Sequence, residues 1–185
     1  MTIIVNLVGG PCCGKSTTAA GLFSTMKLQT TNKVELVTEV IKDHVYDENK
    51  GAMQDQVLLT AEQNHRFKRL DGKVDFVISD ASLLNAIVYN QFYNQNKDIS
   101  TELSRKLFEK YDNVVFFLPR KPQYDAYGRT QSEEDARFID ELFESVFWEY
   151  SIPFIDMREY THDVLPEKIL EKLQEKFGST VTLRG

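Results

Sequence analysis

The run Gly9-Gly10-Pro11-Cys12-Cys13-Gly14-Lys15-Ser16 sets two glycines, a lysine and a hydroxyl at the spacing G-x-x-x-x-G-K-[ST], with Thr17 and Thr18 behind them. Each residue type suits the holding of phosphate. Gly9 and Gly14 let the backbone curl until successive N–H groups point inward at phosphate oxygens. Lys15 brings a fixed positive charge to a β- or γ-phosphate, and the Ser16 hydroxyl is a ligand for Mg²⁺. Through Thr17 the run enters a helix, whose N-terminal dipole also favours anions. A chance match somewhere in 185 residues has odds on the order of one in a hundred. Residues 9–17 are therefore read as a nucleotide-phosphate loop (a P-loop).

Two carboxylates stand where they could complete such a site. Asp80 closes the apolar run Val74 to Ser79, the placement of an acid that holds Mg²⁺ directly or through water. The competing reading makes it an N-cap for a helix starting near Ser82. Glu39 follows the run Val34 to Thr38. There it could take a proton from an attacking hydroxyl, or it could simply favour the first turn of a helix. Which of Glu39 and Asp80 is the base stays open.

Cationic candidates lie further along. The stretch Pro119 to Gln131 is rich in Arg, Lys, Tyr and Pro and reads as a lid over 119–131. Arginines that arrive on closure stabilise charge on transferring phosphoryl oxygens and exclude water. Arg129 in this loop and Arg137 beyond it are read as functional, and Arg120 and Lys121 as a solvated basic loop. His65-Arg66-Phe67-Lys68-Arg69 is likewise read as a solvated helix face. His44, His65 and His162 have no metal-ligand spacing. Cys12 and Cys13 are adjacent, which disfavours a disulfide, and small side chains filling loop positions are preferred to a redox switch. Tyr46, Tyr89, Phe92, Tyr93 and Trp148 are read as core rather than as base-stacking platforms, with the lining of an acceptor pocket left open for one of them.

Those residues need a scaffold that gathers them. Apolar runs predict strands over 2–8, 34–38, 74–80, 113–118 and 153–156. Between them, periodicity predicts helices over 16–28, 39–45, 54–70, 82–93, 100–111, 132–150 and 165–177. Ser100 is taken as a helix cap, and Ser132 with Asp135 as a capping box. Val57, Leu58, Ala61, His65 and Leu70 are taken as one side of the helix that holds them. Strands alternating with helices make βαβ units and a parallel sheet covered on both faces. In such sheets ligands bind beyond the carboxyl ends of the strands. That rule gathers the P-loop, Glu39, Asp80 and the 119–131 loop at one rim.

Composition narrows the classes. With 42% hydrophobic and 27% charged residues over 185 positions, a single soluble domain over 1–185 is expected. A net charge of −6 argues against broad binding to nucleic acid or membrane surfaces. The apolar runs are strand-length, too short to cross a bilayer. The N-terminus reads as a core strand rather than an export signal, so a cytoplasmic setting is expected. The nearest approach to a guanine reader, Asn32-Lys33-Val34-Glu35, has the wrong acid and precedes the second strand, which disfavours a GTPase.

The P-loop, Thr38-Glu39 after the second strand and an acid after the third resemble the small AAA-like P-loop kinases. Within these the chain is most similar to the nicotinamide riboside kinase domain of bacterial NAD-salvage proteins. Asp125 with Arg129, then Arg137, resembles that family's lid and the helix after it. Two positions depart: the family's arginine three residues after the glutamate is Lys42 here, and its Asp-Thr-Asp is Asp80-Ala81-Ser82. No counterpart of the adenylyltransferase domain of the bifunctional proteins is seen.

The resulting expectation is an α/β, three-layer P-loop fold with a five-stranded parallel sheet, acting as an ATP- and Mg²⁺-dependent phosphotransferase. The acceptor would be a hydroxyl or phosphate of a small nucleoside- or nucleotide-like molecule. Lys15, Glu39, Asp80, Arg129 and Arg137 are the catalytic candidates, and Ser16 with Asp80 the metal ligands. A homodimer is left open. The alternatives are a kinase acting on a nucleic-acid base or end, and a regulatory module that binds ATP without transferring phosphate.

Overall fold

The computed structural model describes residues 1–93, 99–120, 124 and 131–184. Five strands form one parallel sheet in the order β2-β3-β1-β4-β5: β1 (Ile3–Val8), β2 (Val34–Val37), β3 (Phe76–Ser79), β4 (Asp112–Phe117) and β5 (Ile155–Asp156). Helix α1 (Lys15–Gln29) lies between β1 and β2, and α2 (Ile41–Tyr46), α3 (Lys50–Gln54) and α4 (Gln56–Lys68) lie between β2 and β3. After it come α5 (Asn85–Phe92), α6 (Ile99–Phe108), α7 (Glu133–Glu149) and α8 (Leu165–Phe177). This is the α/β P-loop fold expected from the alternation of elements.

Period-two alternation along β1 divides the core between the two faces. Ile3, Val5 and Leu7 pack with Ala19, Leu22 and Met26 of α1 and with Leu165, Ile169 and Leu173 of α8. Ile4 and Val8 turn the other way, onto Phe67 of α4, Ile87 of α5, Phe108 of α6 and Phe143 and Phe147 of α7. Burial of β1 and β3 on both sides explains why they read as continuous apolar runs. The register pairs Val37 with Ser79, Asn6 with Ser79, and Val8 with Phe117. Strands β2 and β3 thereby end level with Asn6, two residues before β1 and β4 end together, and the segments leaving these four strands emerge side by side.

Local expectations hold in some places and not in others. The capping box opens α7: the Ser132 hydroxyl accepts from the Asp135 amide at 3.1 Å, and the Asp135 carboxylate accepts from the Ser132 amide at 2.8 Å. The Ser132 backbone N–H, and after it the Ser132 hydroxyl donating to the same oxygen at 2.8 Å, bond to the charged form and hold the Asp135 carboxyl below its ordinary range. Ser100 is no cap. It lies within α6, fully buried, and its hydroxyl takes the Asn90 amide at 2.7 Å. In α4 the buried residues are Thr60, Gln63 and Phe67, while Val57 and Leu58 are partly exposed and Ala61 and His65 face solvent. The polar Gln63 is buried because its side chain accepts a backbone N–H, that of Val40. Trp148 and Tyr46 are surface residues, 78% and 86% exposed. Trp148 lies off the stripe that α7 buries through Ala136, Ile139, Phe143, Val146 and Phe147. No helix among the described residues is long and apolar enough to cross a membrane.

The capping box yields a first expectation. Ser132→Ala should lower stability by about 1 kcal/mol, read as a fall in the urea midpoint at constant slope, and Ser132→Asp should keep most of it.

Candidate functional site

Strand β1 ends at Val8, and the chain turns through the P-loop into α1. Gly14 is the residue before the helix and lies in the left-handed region at φ 77°, and Cys12 joins it there at φ 67°. Left-handed residues within such a turn direct successive N–H groups to one side, the geometry of an anion nest. Gly14 adopts it freely, whereas Cys12 carries a strain of about 1–2 kcal/mol. The Lys15 ammonium donates to the carbonyls of Gly9 at 2.6 Å and Gly10 at 3.0 Å, and lies 3.7 Å from Cys13 Sγ. Both cysteines are buried, and Cys13 belongs to the core under the α1 and α8 face. Space-filling is thus the observed use of Cys13. Its carbonyl is also met by His162 Nε2 at 3.1 Å, from the segment leading to α8.

Strand β3 delivers Asp80 to the neighbouring position, 2% exposed. Helix α5 begins beyond it with Leu84 as its N-cap residue and no side-chain cap, so the capping alternative does not hold. Instead Asp80 Oδ1 accepts the Glu39 backbone N–H at 2.9 Å, and Oδ2 accepts from Lys42 Nζ at 2.6 Å. The same ammonium donates to Ser16 Oγ, also at 2.6 Å. Ser16 from the P-loop and Asp80 from β3, far apart in sequence, therefore converge on one cation. Their two oxygens are a hydroxyl and a carboxylate, the donor types that suit Mg²⁺. In chemistry and placement they fit the metal.

Glu39 leaves β2 beside them, on a turn clamped from α4. The Val40 amide donates to Gln63 Oε1 at 3.0 Å, and Arg66 Nη1 donates to the Thr38 carbonyl and to Thr38 Oγ1, each at 3.1 Å. Arg66 also forms an ion pair with Asp43. It is therefore a structural clamp and not part of a merely solvated basic face. His44, assigned no metal, pairs with Glu62 at 2.6 Å.

On the other side of the loop, Arg120 follows β4 and is well packed, contrary to the expectation of a solvated residue. Its Nε donates to Asp140 Oδ2 at 2.9 Å, Nη1 to the Pro11 carbonyl at 2.9 Å, and Nη2 to the Ala136 carbonyl at 2.6 Å and to Asp140. The other Asp140 oxygen accepts the Gly10 amide at 2.5 Å. Only glycine fits at position 10, because a Cβ there would lie 2.3 Å from the Ala136 carbonyl. This explains the second glycine of Gly9-Gly10, which the phosphate-loop pattern does not require.

The structure thus brings together the P-loop, Glu39 and Asp80. Arg137 is exposed on α7, where it pairs with Glu133 at 2.7 Å one turn away. Arg129, Asp125, Lys121 and most of the 119–131 lid lie outside the described residues. Ser16 and Thr17 sit at the exposed start of α1. Sequence reasoning missed Lys42, Gln63, Arg66, Arg120 and Asp140 as members of this site. Their partners are distant in sequence, and among them only Lys42 had drawn notice, as the place where the resembled family carries an arginine.

A family model described as an AAA domain matches residues 4–163. No curated protein matches the chain by sequence. Among solved structures, the deoxyadenosine kinase of M. mycoides with the products dCMP and a flexible dCDP bound superposes with a TM-score of 0.65 at 16% identity, covering 93% of this chain and 99% of that one. The same kinase with bound dATP gives 0.63 at 17% identity, with 92% and 99% covered. The YorR protein of Bacillus subtilis, in complex with phosphorylated GDP, gives 0.58 at 18% identity, with 94% and 98% covered. At these identities the likeness is one of fold.

Removing Arg120 would leave the half-buried Asp140 without its cation. Arg120→Ala should therefore cost about 2 kcal/mol, below the range for a fully buried pair because both groups keep some solvent. Arg120→Lys should recover little of it, since lysine lacks the planar fork that reaches three acceptors. Urea titration of the two variants against the parent protein checks both.

Proposed function

The chain belongs to the AAA-domain family of P-loop proteins, which implies nucleotide binding, and from that premise we propose that it is an ATP-dependent kinase of a small nucleoside- or nucleotide-like acceptor. The observation that carries the reading is the meeting of Ser16, Asp80 and the Glu39 turn at one rim, with the Ser16 and Asp80 oxygens 2.6 Å from a shared cation. A site for phosphate alone would need only the loop. An acid placed beside the loop on a separate strand is what group transfer adds. Nucleotides bound in the structural neighbours, dATP in one and dCMP with dCDP in another, support the acceptor class.

The loop amides and Lys15 would hold the β- and γ-phosphates, Lys15 exchanging its two loop carbonyls for phosphate oxygens. Ser16 and Asp80 would hold Mg²⁺, which when bound neutralises charge on the phosphate oxygens. Both Asp80 oxygens already have donors, which favours that acid as cation ligand and leaves Glu39 as the base for the acceptor hydroxyl. Gln63 and Arg66 fix the backbone on either side of Glu39 and so aim it. Arg129 and Arg137 are assigned the charge that develops on the transferring group. Arg137 would give up an exposed i,i+4 pair, worth only about 0.3–0.5 kcal/mol, so its present partner is a weak restraint. Inclusion of the chain in a single domain over 1–185, with 119–131 as lid, belongs to the same proposal.

The test is a screen of acceptors with ATP and Mg²⁺, read by mass spectrometry: nucleosides including nicotinamide riboside, nucleoside monophosphates, and oligonucleotide ends. A phosphorylated nucleoside or nucleotide is expected. Product on oligonucleotides alone would move the assignment to nucleic-acid ends, and ATP binding with no product from any acceptor would favour a regulatory module.

Two variants sharpen the assignment. Lys15→Ala should reduce transfer by about 100-fold or more with an unchanged circular dichroism spectrum. Glu39→Gln should reduce kcat by about 10²- to 10⁴-fold, the range for a general base, with little change in ATP affinity.

A further inference from the structure

We propose that Lys42 is a built-in counter-cation, holding Ser16 and Asp80 in their ligand positions before metal arrives and yielding that place to a divalent ion. The role deepens the reading of the site as one for Mg²⁺ and nucleotide, but rests on the contacts of Lys42 itself. Its ammonium is 2.6 Å from Ser16 Oγ and 2.6 Å from Asp80 Oδ2, the pair of atoms that would bind the metal. Asp80 is 2% exposed, and among the described residues Lys42 is its ion-pair partner. A carboxylate so buried is costly to leave without a positive charge. The ammonium meets that need in the metal-free protein, so the rim does not have to spread apart.

An ammonium and a divalent cation cannot both sit between the same two oxygens, because like charges at that separation repel strongly. Metal binding therefore requires Lys42 to withdraw, and the place of Lys42 in the fold permits it. Its side chain is 40% exposed. It is carried by α2, a six-residue helix in which no residue is buried. The core therefore does not resist a shift of this helix, and segments with few buried contacts are the ones that move at low cost. The side-chain tethers of α2 to α4 are the Asp43–Arg66 ion pair and the His44–Glu62 contact. The backbone on the other side is fixed at Val40, which is buried and held by Gln63. Motion of Lys42 thus hinges just beyond Glu39, leaving the candidate base in place. A metal bound without nucleotide pays for displacing the ammonium and offers it no new anion. Metal that arrives with nucleotide brings phosphate oxygens to receive it. Lys42 makes the site selective for the metal–nucleotide complex over the metal alone.

The experiment uses Mn²⁺ as probe and contains neither nucleotide nor acceptor, so its outcome is independent of whether the protein proves to be a kinase. Binding is followed by electron paramagnetic resonance of free Mn²⁺ on the parent protein, Lys42→Met, Lys42→Gln and the double variant Lys42→Met/Asp80→Asn. Both single variants are expected to bind Mn²⁺ at least tenfold more tightly than the parent, and the double variant to lose that gain. In thermal melts the single variants should unfold several degrees below the parent and recover with added Mn²⁺, while the parent's midpoint stays put. Equal or weaker Mn²⁺ binding by folded Lys42→Met and Lys42→Gln would overturn the proposal. So would a gain that persists in the double variant, because the metal would then be binding away from Asp80.

Discussion

A carboxylate buried at the end of a central strand has to be answered by positive charge or hydrogen-bond donors, and much of the rim follows from how Asp80 is answered. One donor is the Glu39 amide, which fixes the exit of β2 against the exit of β3. The other is the Lys42 ammonium, which reaches on to Ser16 and so ties both exits to the P-loop. Three segments separated by more than sixty positions of chain from Ser16 to Asp80 are held together by two hydrogen-bonded oxygens of one side chain. Parallel pairing makes this possible. Because Val37 and Asn6 are both in register with Ser79, the residues just past each strand end within reach of one another.

A second charged group serves the opposite flank of the loop. Arg120 and Asp140 join the exit of β4 to α7, and the pair touches the loop through the Pro11 carbonyl and the Gly10 amide. The two flanks have different character. Arg120 is a planar fork with its donors committed to three acceptors, packed where a Cβ at position 10 would not fit. Lys42 is a point charge on a partly exposed stem carried by a helix without buried residues. Guanidinium suits the fixed wall, where geometry must persist. Ammonium suits the side where, on the proposed role of Lys42, a cation would be exchanged, because its contacts are less directional and its hydration is readily regained.

How much of this was legible in the sequence depended on whether the signal was local. The P-loop spacing, the continuous apolar strands and the Ser132 to Asp135 box are set by neighbours in the chain, and the fold reproduces each of them. So does the rule that ligands gather at the carboxyl ends of strands, which brought Glu39 and Asp80 to the loop. The misreadings share a cause. Arg66 is a polar residue on a helix, and polarity alone assigned it to solvent, while Gln63 drew no reading at all. Their partners are backbone groups of residues 38–40, a contact that no periodicity can announce. Arg120 was placed in a solvated loop for the same reason, since Asp140 lies twenty positions away on another element. Trp148 erred in the other direction: its bulk suggested core, but the phase of α7 decides burial, and Trp148 is out of phase.

Lys42 also links two sides of the rim. In the proposed kinase reading the loop and Ser16 belong to the donor half, and the Glu39 turn to the acceptor half. Lys42 is three residues beyond Glu39 and hydrogen-bonded to Ser16, so it belongs to both. Whatever occupies the place between Ser16 and Asp80 sets where Lys42 stands, and Lys42 stands on the segment that continues from the candidate base. Because the Glu39 turn is pinned by Gln63, Arg66 and Asp80, movement of Lys42 need not disturb it. A longer arginine at this position could keep hold of Asp80 from further away, with its charge spread over a plane. The lysine concentrates that charge in a single group, which either fills the cation position or leaves it. On the proposal that Lys42 yields to a divalent ion, lysine is the side chain that makes this neighbour of the rim exchangeable, while the hydrogen bonds that hold the Glu39 turn remain in place.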